Sequence, residues 1–186
     1  GLAGAAVEAM ADANDPEMRR RIASSLTDRN GFEGGVLTSL DIEYDKESAL
    51  GRIVIEGVSS PGFRWEEGKF VVDLPTNANQ IAFNPDRARS EWRNIPVATP
   101  GTSYVVVDAT MILPGGGKGF SLTGPAQLDA GFGNTRVVSS SSLSGAELRL
   151  HSEVRQTLGE IAPEDVPVAR RQAWRNEATA TQLVGS

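Results

Sequence analysis

The 186-residue chain contains no cysteine. That excludes disulfides, thiolate metal sites and a cysteine nucleophile, and it leaves the compartment open. Histidine occurs once, at His151, so a catalytic triad has a single position at which to form. No uninterrupted apolar run reaches the ~18 residues that a membrane-crossing helix requires. The first stretch, GLAGAAVEAMADAND, carries acids and no basic n-region of the kind that opens a signal peptide. Excess positive charge is also missing. The formal net charge is −6, and an acidic chain repels phosphate backbones, which argues against nucleic-acid binding. The basic clusters, Arg19 to Arg21 and Arg170, Arg171 and Arg175, fall in helix-like segments and read as solvated faces. Aromatic residues make up only 6% and apolar residues 39%, which fits a domain with much exposed surface or with apolar surface meant for a neighbour.

The 20 glycines and 10 prolines predict frequent turns. The first 30 residues are Ala-rich and helical in pattern. Asp15-Pro16-Glu17 is a helix start, with Asp15 as cap, Pro16 in the first turn and Glu17 at the positive end of the dipole. Met18, Ile22 and Leu26 mark its apolar face, and Asn30-Gly31 stops it. From about residue 36 the period changes to two. Leu40, Ile42 and Tyr44 alternate with Asp41, Glu43 and Asp45, and Ile53 and Ile55 return on a second strand. Further strands are expected at 69–74, 103–113, 119–123 and 134–143, and in AELRLHSEVRQTL. There Leu148, Leu150 and Val154 point inward, while Glu147, Arg149, His151 and Glu153 point outward. Pro163-Glu164-Asp165 opens a last helix running to about Asn176, and ATATQLV adds a short edge strand. The expected fold is mainly β, an antiparallel sandwich flanked by an N-terminal and a C-terminal helix. The expected division is a helical segment over residues 1–31 and a sandwich domain with its C-terminal helix over 32–186. Ile42, Ile53, Val107, Phe120, Leu148 and Leu150 are expected to share one core. The terminal helices are expected to cover it through Met18, Ile22 and Leu26, and through Val168 and Trp174. The start at Gly1 rather than Met suggests a piece of a longer protein.

Four features invite a chemical reading. MILPGGGKG, residues 111–119, has the glycines and lysine of a phosphate loop, but Lys118 is followed by Gly119 rather than Ser or Thr, and a strand follows rather than a helix. Glycines reversing a hairpin explain the run, and no nucleotide or other cofactor is expected. Asp41, Glu43, Asp45 and Glu47 alternate in the manner of calcium ligands, but lack the central glycine and following helix of an EF-hand and read as a solvated strand face. His151 sits among outward charged residues, and no G-x-S-x-G elbow accompanies it. Trp65 and Trp92 lie in turn-rich segments, as core plugs or as contacts to a partner.

Two segments carry a family resemblance: YVVVDATMILPGGGKGFSLTGPAQLDAGFGNTRVVSSSSLSG and GEIAPEDVPVARRQAWRN. A strand ending in Leu-Pro, a glycine turn with Phe120, a second hairpin and a proline-opened helix together resemble the C-terminal region of bacterial transglutaminase-like superfamily proteins. These begin with a β-rich domain of unknown function, followed by a papain-like core. MRRRIASSL is similar to the helix that follows that core. The family's Cys-His-Asp set has no counterpart here, because cysteine is absent and His151 lies outside any matching segment. The resemblance therefore implies a non-catalytic accessory domain of a larger transglutaminase- or protease-like envelope protein, set in the cell envelope or periplasm. Such a domain would pack on the catalytic core of the same polypeptide or on another protein, or would present a polypeptide substrate. The alternative is a free-standing module binding peptide or glycan through Trp65 or Trp92. A small hydrolase is the third reading, and the lack of a nucleophile set argues against it.

Overall fold

The computed structural model describes residues 2–12, 15–29, 36–59, 62–74, 83, 85–99, 101–178 and 181–186. The chain divides into two compact units, Gly1–Phe63 and Arg64–Ser186. In the first, helices α1 (Leu2–Ala11) and α2 (Pro16–Arg29) precede a hairpin of β1 (Val36–Asp45) and β2 (Leu50–Val58). Asp15 caps α2 as expected, its Oδ1 accepting the Glu17 N–H at 2.9 Å. Ile42 is buried on β1 opposite Ile53, while Asp41, Glu43 and Asp45 are exposed. Helix α1 lies on this hairpin. Met10 is buried, Lys46 reaches Glu8 and Asp12, and a Cβ on Gly51 would collide with Val7. The break expected after residue 31 therefore falls inside this unit, because α1 and the hairpin bury one another. Ile42 and Ile53 belong here, apart from the four core positions expected beside them. Met18 is half exposed, and the side chains of Ile22 and Leu26 lie outside the described residues.

The second unit is mainly β, with two four-stranded antiparallel sheets in a sandwich-like arrangement and a C-terminal helix. The first sheet has the order β6 (Ser103–Ile112), β10 (Glu147–Gln156), β9 (Thr135–Ser144), β8 (Gln127–Phe132). Strand β10 pairs with both neighbours along all ten of its residues without a register shift. Opposite residues of an antiparallel pair share a face, so the register aligns one buried side. Leu150 and Ser152 of β10 lie opposite Ser141 and Ser139 of β9, all buried, and the same face carries buried Leu148 opposite Leu143 and buried Val137 opposite Val154. The serine run alternates accordingly: Ser139 and Ser141 are inside, Ser140 and Ser142 outside.

The second sheet has the order β3 (Arg64–Glu66), β4 (Lys69–Asp73), β12 (Gln182–Gly185), β7 (Phe120–Thr123). The C-terminal strand, expected at an edge, sits in the middle, with Leu183 fully buried. Its four residues look like an edge by length, and partners on β4 and β7 are too distant in sequence to be read from the strand alone. β3 and β8 lie outside the strands expected from the sequence. The short strands β5 (Val97–Ala98) and β11 (Glu160–Ile161) pair with each other.

Helix α3 (Val166–Ala178) begins just after the Pro163-Glu164-Asp165 turn. It turns Val166, Ala169 and Ala173 inward onto Phe132 and Ile161. Val168 and Trp174, expected to face the sheets, are exposed instead. The helical period sets the buried stripe at 166, 169 and 173, and the two alanines let the helix lie close over β8. The glycine run also differs from expectation. β6 and β7 belong to different sheets, so residues 113–119 do not close a hairpin but carry the chain between sheets. Leu113 N–H donates to Ala146 O at 2.8 Å, and a Cβ on Gly117, whose φ is 75°, would collide with the Gly145 carbonyl. Close approach to the β9–β10 turn thus explains a glycine there.

Leu148 is fully buried while Arg149 is exposed on the opposite face of β10. Truncating a buried leucine costs about 2–5 kcal/mol. Leu148→Ala should therefore lower the melting temperature by roughly 10 °C or more, given ~4 °C per kcal/mol for a domain of this size. Arg149→Ala should leave it nearly unchanged, and calorimetry on the two variants checks this.

Candidate functional site

Trp65 sits at the tip of a two-strand hairpin. Glu67 and Gly68 both adopt positive φ, 49° and 80°, the geometry of a tight hairpin turn. The turn sets Trp65 directly opposite Phe70. Their rings meet edge to face, with centroids 4.6 Å apart and planes at 74°. The same register row continues through Gly185 of β12 to Phe120 of β7. A Cβ on Gly185 would lie 3.1 Å from Phe120 Cε1 and 3.7 Å from Phe70 Cβ, so the aromatic side chains close over this glycine. One row deeper on the same face lie Val72, Leu183 and Leu122, the first two buried. The core face of the sheet therefore runs outward into an aromatic row. Its end is uncovered, with Trp65 63% and Phe70 47% exposed.

The opposite face of that sheet is polar. Arg64 Nη1 donates to Asp73 Oδ2 at 2.8 Å and Arg64 Nε to Glu66 Oε1 at 3.0 Å, while Gln182 Nε2 donates to Asp73 Oδ1 at 2.9 Å. These bonds, above all the one from Arg64, hold the Asp73 carboxyl below its ordinary range against an opposing contribution from burial. An open depression of about 610 Å³ lies here, lined by Val71 and Val184 and by Glu66, Lys69, Thr123 and Gln182. Its lining offers the Thr123 hydroxyl, the Lys69 amine and the Glu66 and Glu67 carboxylates, with no histidine beside them to act as a base.

Trp92 is placed differently. It lies half-buried in the 3-10 turn Glu91–Asn94, with the Arg89 guanidinium 4.8 Å from its ring centroid. Arg87 donates to the carbonyls of Trp92 and Ile95. Among the described residues no ring contact joins Trp92 to Trp65. The structure thus gives one tryptophan an uncovered aromatic row and the other a cationic cover.

His151 is half-exposed on the outer face of the first sheet, as its strand period predicts. Its Nδ1 lies 2.7 Å from Asp108 Oδ1, and Ser140 stands opposite it on β9. Aspartate, histidine and serine thus share one register row across three strands. Strand β9 is flanked by β8 and β10, so the amides around Ser140 are committed to ladders and do not converge on an oxyanion. The aspartate was missed because its pairing partner cannot be read from β6 alone. Of the acidic strand residues, Glu43 meets Arg52, and Asp45 accepts from the Glu47 N–H at 2.9 Å and the Ser48 hydroxyl at 2.5 Å, closing the hairpin turn. Among the described residues no group of three or more His, Asp or Glu is placed to hold a metal ion. No helix among them is long and apolar enough to cross a membrane.

The lowered Asp73 pKa carries a pH signature. Its contribution to stability is fully present above the unfolded carboxyl value of about 3.9 and is lost as pH falls through the lower folded value. Because the pair is largely solvated the effect is small. Residue-resolved NMR titration should show Asp73 titrating below the ordinary carboxylate range, and Arg64→Ala should move it upward. No family model matches the chain, and no curated protein or solved structure shows significant similarity to it.

Proposed function

We propose that this chain is a non-catalytic accessory domain of a larger transglutaminase- or protease-like envelope protein. Its Trp65 row packs on the catalytic core or holds a polypeptide presented to it. The observation that carries the contact is the end of the core face, where Trp65, packed edge to face on Phe70, is 63% exposed. Large aromatic side chains bury about 150–250 Å² each and dominate interface energetics, and tryptophan is enriched among the residues that carry binding energy. Two such rings pre-packed against each other form an anchor that needs little further ordering on binding. The transglutaminase-like setting and the envelope location rest on the sequence resemblance. The non-catalytic reading rests on the absence of cysteine and on the open face around His151.

Trp92→Phe combined with Trp174→Phe leaves Trp65 as the only indole. The partner to test is a catalytic core encoded in the same reading frame. Adding it should shift the Trp65 emission to the blue and shield it from a soluble quencher. Trp65→Ala should weaken the association by about thirtyfold, corresponding to ~2 kcal/mol, without lowering the melting temperature. A shift produced by oligosaccharides and not by the core would replace this reading with a free-standing glycan-binding module.

A further inference from the structure

The two four-stranded sheets of the second unit have four edges, and three of them are blunted. Strand β8 is covered by α3. Strand β3 has three residues, two of them charged, and β7 has four. Strand β6 is different. It has ten residues, SYVVVDATMI, with no lysine, arginine, proline or glycine, and it pairs with β10 without a bulge. Among the described residues no strand pairs with its other edge. Tyr104, Val105 and Val106 are 53%, 41% and 42% exposed, and Ile112 is 71% exposed. Successive strand residues point to opposite faces, so Val105 and Val106 show that both faces of the sheet are open at this margin. Sheet proteins ordinarily protect such an edge with charges, proline, bulges or a covering element, because its unpaired N–H and C=O groups are a template for another strand. Among the described residues none of these devices protects β6 apart from one acid, Asp108.

We propose that the free edge of β6 is a strand-addition site for an extended, cationic segment of another polypeptide, apolar at alternate positions. Main-chain hydrogen bonds along the edge supply affinity, and the side chains opposite supply selectivity. Asp108 determines the charge of the occupant. Its side chain is 74% exposed, and among the described residues it meets His151 but no lysine or arginine. A lysine or arginine on the added strand, directly opposite or diagonal to Asp108, satisfies it. A second copy of the chain does not. Pairing β6 with itself across a two-fold axis places Asp108 opposite Tyr104, Val106, Asp108, Thr110 or Ile112 and never opposite a cation. The formal net charge of −6 adds repulsion. The inference stands on β6 alone and does not depend on the Trp65 row.

The test uses the whole chain and three synthetic peptides, each of ten residues to match β6. One alternates valine and threonine around a central lysine, the second carries glutamate in its place, and the third is the lysine peptide with alternate backbone amides N-methylated. The lysine peptide should bind and perturb the amide resonances of β6. The glutamate peptide should bind about fivefold more weakly, a difference of the size expected for one cross-strand charge pair. That difference should vanish in Asp108→Asn and shrink in ~1 M salt. The N-methylated peptide should not bind. Val106→Lys, at a solvent-facing position, should abolish binding while leaving the melting temperature unchanged. Val106→Thr should retain binding, which separates edge protection from misfolding. Perturbations on another strand, equal binding of the N-methylated peptide, or a concentration-dependent dimer dissolved by Val106→Lys would overturn the proposal.

Discussion

The larger unit depends on the register of β10. This strand is paired on both sides along its full length, with Leu148 and Leu150 on one face and Arg149, His151 and Glu153 on the other. Because the side-chain period is two, a slip of one residue would send both leucines to solvent and bury the charges. The cost of that exchange fixes the ladder. Everything placed on the ladder is then determined, from the serine run that alternates between core and surface to the row that sets Asp108 against His151.

The same constraint explains what is left uncovered. A fixed β10 fixes β6 beside it and leaves the far side of β6 as the margin of the sheet. In the second sheet, the burial of Leu183 holds β12 between β4 and β7, so Gly185 falls between Phe70 and Phe120. The core face is closed over Leu183 and open at Trp65. Two apolar surfaces of different character result: a row of aromatic rings and an unprotected strand edge. They follow from where each sheet ends.

The period-two alternation in LTSLDIEYD and AELRLHSEVRQ was sufficient to read strands, faces and the exposure of His151 from the sequence, because one face of each strand is buried and the other solvated. The cap at Asp15 was legible for a local reason, since its partner is two residues away. Pairing was not legible. Asp108 and His151 are 43 residues apart, and Gln182 and Asp73 are 109 apart. No local pattern specifies which strands become neighbours at such separations. The inward face of α3 follows helical phase and not side-chain size, with Ala169 and Ala173 buried and the larger Val168 and Trp174 exposed. Trp65 was legible as a candidate contact, whereas its aromatic row depended on bringing three distant strands together.

Residue-resolved amide hydrogen exchange over residues 103–112 in the free chain shows whether β10 alone holds β6 in the sheet, with no other strand on its far edge. The amides of β6 should alternate. Every second amide, donating to β10, should be protected nearly as strongly as β10 itself, and the intervening amides should exchange fast. Uniform protection along β6 would mean that another segment pairs with the edge, and uniformly fast exchange would mean that β6 is not held in the sheet. Either result would overturn the assignment of β6 as a sheet margin paired on one side only.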